Sequence, residues 1–295
     1  VCVHKGNEFN TFITADPSKT SRNYIETMFN RIGFIHGVST NLVVMRFPGF
    51  VYALFVFSVK AGGLNLERPV VVGASLSDGF HLQEMGIPFV SPISEQLGLH
   101  HHLDEALQLD HGRFRNLGSK WFFLAPEPHG ANQISKARKM DPTVVIAVDF
   151  LFWYLSAEQK HRGRGFRNLS RLEYLELGLA HLAKLQCPLV DGNIPDAATS
   201  VGRVLSPAQH AGAETIAKAN KRIREWAASR ANVGLLDLHK FHQQASRNLE
   251  VEMVGKSIPA GKSRELFLQW DQIHPTLEGV RAVASEIVPL LGDPP

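Results

Sequence analysis

Short apolar runs separated by longer stretches of helical period constrain this chain more than any other feature of its sequence. The runs fall at residues 70–73, 121–124, 144–148, 188–190 and 233–238. The first has no polar side chain, which suits a strand covered on both faces, as in a parallel sheet. Between the runs, Leu172, Leu175, Leu179, Leu182 and Leu185 recur at three- and four-residue spacings, one face of an amphipathic helix over 171–186. A second helix is predicted over 211–231. A closing helix is predicted over about 275–291, with Pro275 suited to its first turn. Strands alternating with helices predict an α/β domain with a mainly parallel, roughly five-stranded sheet and right-handed crossovers. The regular pattern begins at Leu64 and runs to the end of the sequence, with no internal repeat.

The preceding residues read differently. Residues 1–44 show no clean period and receive no fold. Met45 and Arg46 open a stretch that is apolar over 47–59 apart from Ser58, broken by Pro48 and Gly49, and followed by Ala61, Gly62 and Gly63. That is the layout of a short export signal, which would make Met45 the start and the protein secreted or periplasmic. Read otherwise, residues 45–63 are an apolar N-terminal helix on a cytoplasmic protein. The run is too short to span a membrane comfortably. A net charge of +3 is too small to make nucleic acid or an anionic surface the main partner. The two cysteines, Cys2 and Cys187, form neither a disulfide framework nor a paired zinc spacing.

In an open parallel sheet the ligand site lies beyond the carboxyl ends of the strands. The residues there are Ser75, Gly130 with Asn132, Asp149, Asp191 with Asn193, and Asp237. Ser75 follows the first run and is surrounded by Gly73, Ala74 and Gly79, which allow a sharp turn. It reads either as a nucleophile or as part of an ordinary strand-to-loop turn. A serine nucleophile needs a base, and the base needs an orienting acid. Asp271 stands three residues before His274, just ahead of the closing helix, a spacing at which the two side chains can meet.

The blocks 73–79 and 271–276 together resemble the SGNH (GDSL-type) hydrolase family, over roughly residues 64–291. The resemblance implies a three-layer α/β/α flavodoxin-like fold and hydrolysis of carboxylic esters through Ser75, His274 and Asp271, without metal or organic cofactor. It places Gly130, with the N–H of Ser75, in the oxyanion hole. The family's third block normally carries an asparagine, where this chain has Asp149. An ionised carboxylate there would repel an oxyanion, so Asp149 is protonated, is replaced by Asn132 or Asn193, or orients neighbouring loops. An acyltransferase using the same triad, and a binding protein on the same fold with a decayed oxyanion hole, are the competing readings.

Phe80, Phe152, Trp153 and Trp270 flank these blocks, with Phe150 and Tyr154 nearby. They read as core, or as the lining of an apolar pocket for a small-molecule, lipid or polymer ester. His100, His101 and His102 lack the i, i+4 pair that puts two ligands on one helix face, so no metal site is expected there. The basic loop 160–167 reads as solvated surface or as an anion-attracting segment.

Overall fold

The computed structural model describes residues 64–80, 98–254 and 256–292, together with four strands among the first 63 residues. The chain divides into two compact units, residues 1–63 and 64–295. In the first unit β1 (Cys2–Lys5) pairs antiparallel with β2 (Glu8–Thr11). Likewise β3 (Val38–Phe47) pairs antiparallel with β4 (Phe50–Val59), in a register that sets Phe47 opposite Phe50. Within the apolar stretch read as an export signal or an N-terminal helix, Phe50–Val59 is a strand. The sequence of β4 is rich in β-branched and aromatic residues, which favour strands.

The second unit is built on five parallel strands: β5 (Pro69–Val71), β6 (Arg115–Asn116), β7 (Val144–Ala147), β8 (Leu189–Gly192) and β9 (Val233–Leu236). Their spatial order is β6-β5-β7-β8-β9, every pair parallel. Numbered within the sheet this is 2-1-3-4-5, the flavodoxin-like doubly wound order, with its topological switch between β5 and β7.

Alternation along the strands feeds two cores. Val70, Val72, Val145, Ala147 and Leu189 face one layer of helices. That layer contains α3 (Pro126–Lys139), α5 (Arg171–Leu182) and α6 (Ala213–Ala228). Val71, Val144, Ile146, Val148 and Val190 face the other layer, against α2 (Leu99–Ala106) and α9 (Leu277–Ile287). The three-layer α/β/α architecture implied by the resemblance is thus present. Each fully buried Val, Ile or Leu of these faces contributes about 1.5–3 kcal/mol.

Local chemistry sets the helix starts. Ser170 and Glu173 close a capping box on α5. Thr276 caps α9, its hydroxyl accepting the N–H of Gly279 at 3.0 Å, so Pro275, expected in the first turn, lies just before the helix.

One predicted strand is wrong. Residues 120–124 form a 3₁₀ turn capped by Ser119, and the second strand of the sheet is the two-residue edge β6. Trp121 and Leu124 are 46% and 48% exposed while Phe122 is fully buried, which is the face pattern of a helical turn at the surface. The segment following it, expected as a loop, starts α3 with Pro126 in its first turn.

Candidate active site

Ser75 lies at the start of the four-residue helix α1 (Ser75–Asp78), on the carboxyl side of β5 and therefore at the switch point of the sheet. The turn before it depends on Gly73, whose φ is +148°. A Cβ on Gly73 would lie 2.0 Å from Asp149 Oδ1. Glycine is thus required both for the backbone angle and for the approach of that carboxylate. Gln133, on α3, holds the same glycine from the other side. Its Oε1 accepts the Gly73 N–H and its Nε2 donates to the Gly73 carbonyl, both at 2.9 Å.

His274 and Asp271 come from the loop before α9, where Gln272 takes a left-handed φ of +63°. Ser75 Oγ lies 3.0 Å from His274 Nε2, and His274 Nδ1 lies 2.6 Å from Asp271 Oδ2. The other carboxylate oxygen, Oδ1, accepts the backbone N–H groups of Ile273 and His274 at 3.1 and 3.0 Å. With Asp271 accepting at Nδ1, the neutral imidazole carries its proton there and presents a bare Nε2 to the serine hydroxyl. Burial by itself would push the Asp271 carboxyl up. The imidazole of His274 and the two N–H groups outweigh it and hold the carboxyl below its usual range. The Phe80 ring packs on the imidazole with centroids 4.5 Å apart.

Asp149 sits behind the serine. Its Oδ1 accepts the Ala74 N–H at 3.0 Å and the Ser77 hydroxyl at 2.6 Å, and its Oδ2 accepts the N–H groups of Leu76 and Ser77 at 2.9 and 3.3 Å. The carboxylate clamps the residues on either side of Ser75 and leaves the Ser75 N–H without a partner among the described residues. Burial pushes this carboxyl up, opposed by the Ser77 hydroxyl and the three backbone donors. These contacts match the orienting role for Asp149, since both of its carboxyl oxygens are engaged by the turn around Ser75.

Two candidate oxyanion residues are not brought to the site. Gly130 lies inside α3, where its N–H belongs to the helical ladder. A Cβ there would fall 2.1 Å from the Tyr154 hydroxyl, so this glycine serves helix packing in the core. Asn132 is exposed on the same helix. The glycine following β6 is Gly118, and its N–H is committed to Asn116 Oδ1 at 2.8 Å. Asn193 is likewise engaged in holding loops together, its Nδ2 donating to Asp237 and its Oδ1 accepting the N–H of His239, both at 2.6 Å.

A cavity of about 470 Å³ opens at Ser75 and His274. Phe80, Phe152 and Trp153 line it, joined by Phe123, Leu205 and Ile273. Trp270 does not; it is 50% exposed, and its carbonyl accepts from Arg203 at 2.6 Å. Phe150 and Tyr154 are core, packed with Phe122. Among the described residues no group of three or more His, Cys, Asp or Glu side chains could hold a metal ion, and His101 and His102 both meet Glu105. In the basic loop, Arg162 donates to the carbonyls of Ala157 and Leu169. No helix among the described residues is long and apolar enough to cross a membrane.

The glutamines Gln133 and Gln269 were not legible as site residues. Gln133 interrupts the apolar stripe Gly130, Ile134 and Ala137 on α3, and that interruption is the signal that marks it. Gln269 carries no comparable pattern.

No protein-family model matches this chain, and no curated protein matches it. Solved structures do. The chain is similar to LAE5, an alpha/beta hydrolase enzyme from the metagenome of Lake Arreo, Spain, at 14% identity and a TM-score of 0.48 over 77% of this chain and 96% of that one. It is similar to Axe2, an acetylxylan esterase from Geobacillus stearothermophilus, at 14% identity and a TM-score of 0.48 over 78% and 96%. A putative GDSL-like lipase from Parabacteroides merdae aligns at 13% identity and a TM-score of 0.47 over 78% and 99%.

Proposed function

We propose that this protein hydrolyses carboxylic esters by nucleophilic catalysis at Ser75. The observation that carries the reading is the hydrogen-bonded line from Ser75 Oγ through His274 to Asp271, at 3.0 and 2.6 Å. His274 Nε2 removes the Ser75 proton as Oγ attacks the ester carbonyl, and Asp271 stabilises the imidazolium that forms. The developing oxyanion meets the N–H of Ser75, which the Asp149 clamp leaves available. Collapse expels the alcohol with the proton from His274. Water, deprotonated by the same imidazole, then releases the acyl group.

The cavity supports a hydrophobic substrate. Phe80, Phe123, Phe152, Trp153, Leu205 and Ile273 give it mostly apolar walls, the usual composition of a small-molecule cleft. Aryl esters of increasing acyl length, assayed with wild type and with Ser75→Ala, test both parts of the proposal. Turnover rising beyond acetyl and abolished in the variant supports it. Preference confined to acetyl would remove the hydrophobic substrate, and equal turnover in the variant would remove the nucleophile.

A further inference from the structure

We infer that Gln269 is a positioning residue that fixes the distance between the Ser75 segment and the His274 loop. The inference rests on the hydrolase reading for its kinetic consequence, but its geometry stands alone. Gln269 is 4% exposed and lies 189 residues from Phe80 in sequence. Its Nε2 donates to the Phe80 carbonyl at 2.7 Å and to the Pro275 carbonyl at 2.8 Å. Both partners are acceptors, so the amide nitrogen must face them, and both of its hydrogens are used.

Phe80 ends the segment that starts at Ser75, its N–H donating to the Ser75 carbonyl at 3.0 Å. Pro275 directly follows His274. One side-chain nitrogen thus ties the backbone beyond the nucleophile to the backbone beyond the base. The main chain of Gln269 strengthens the tie. Its N–H donates to the His274 carbonyl at 2.8 Å, and its carbonyl accepts the N–H and the side-chain amide of Gln272 at 3.0 and 3.1 Å. Gln272 is the left-handed residue between Asp271 and His274. His242 completes the loop's support by donating from Nε2 to the Gln272 carbonyl at 2.8 Å.

Ser75 and His274 meet across two segments that no strand pairing joins among the described residues, so their register depends on bridges of this kind. A displacement of about 1 Å between reacting groups costs on the order of 10²-fold in rate. Loss of the bridge should therefore lower kcat while leaving substrate binding in the apolar cavity intact.

The test uses Gln269→Met, which keeps the volume without donors, and Gln269→Asn, which keeps an amide too short to span both carbonyls. Kinetics are normalised to titrated active sites. In parallel, the downfield proton signal of His274 Nδ1–H, which needs no substrate, is followed by NMR. The expected result is a kcat reduced at least tenfold with KM within twofold, and solvent exchange of that proton accelerated at least tenfold. A folded variant with kcat within twofold of wild type and an unchanged proton signal would overturn the inference, because a purely stabilising residue would alter only the melting temperature. If wild type hydrolyses no ester, the hydrolase reading fails, and the proton signal alone decides the role of Gln269.

Discussion

Asp149 Oδ2 accepts the backbone N–H of Leu76 at 2.9 Å, so the carboxylate beyond β7 grips the turn beyond β5. With the bonds to Ala74 and Ser77, this contact holds the serine between two fixed neighbours. Asp149→Asn keeps the shape but turns an amide N–H₂ toward N–H groups that need an acceptor. Turnover is expected to fall by about 10²-fold through misplacement of Ser75, and stability by about 1–3 kcal/mol through buried donors left unpaired. Steady-state kinetics and urea unfolding check both. Unchanged or higher turnover would argue against an essential carboxylate.

Gly130 and Tyr154 provide a test that separates core from site. Gly130→Ala forces a methyl against the Tyr154 hydroxyl and should cost about 1–3 kcal/mol. Because Gly130 does not line the Ser75 cavity, kcat per folded molecule should stay within about twofold of wild type. A large kcat loss in fully folded protein would restore Gly130 to the oxyanion hole.

Among the described residues the buried Tyr154 hydroxyl has no hydrogen-bond partner, and burial pushes its pKa far up. Removing an unsatisfied buried donor relieves a penalty of about 1–3 kcal/mol. Tyr154→Phe should therefore be neutral or stabilising in chemical denaturation, and it should partly rescue Gly130→Ala. Marked destabilisation by Tyr154→Phe would contradict this.

Asp191 gives stability a pH dependence of known sign. It is fully buried, its Oδ1 accepts the Gly192 N–H at 2.9 Å, and its Oδ2 has no partner among the described residues, so burial raises its carboxyl well above the usual range. Above the unfolded carboxyl pKa the native state retains a proton that the unfolded chain has lost. Stability from this group is therefore present at acid pH and is lost as pH rises toward the folded value, at up to about 1.4 kcal/mol per pH unit. Urea unfolding between pH 4.5 and 7 should show a shallower decline in Asp191→Asn than in wild type. Parallel profiles would rule the linkage out.

The constellation was legible where chemistry leaves a local signature. Asp271 and His274 stand three residues apart, a spacing at which one loop brings the two side chains into contact, and Ser75 follows an apolar strand through residues small enough to turn. The strand–helix alternation likewise carried the sheet. What failed were inferences from position alone. Residues 121–124 are apolar enough for a strand, yet Trp121 and Leu124 sit outside and the segment curls into a 3₁₀ turn. That misplacement carried Gly130 and Asn132 from a supposed strand end into α3. Gln133 left only an interruption in the apolar stripe of α3, and Gln269 left no pattern, because the backbone partners of a lone amide are set by tertiary folding.

Covalent labelling probes the role of Ser75 most directly. Wild type is treated with an alkyl fluorophosphonate and the modified peptide is located by mass spectrometry. One adduct is expected, on Ser75, forming in step with the loss of esterase activity and slowed by about 10³-fold or more in His274→Ala. Esterase activity that survives complete modification of Ser75, or a stoichiometric adduct on another residue with Ser75 unmodified, would contradict nucleophilic catalysis at this serine.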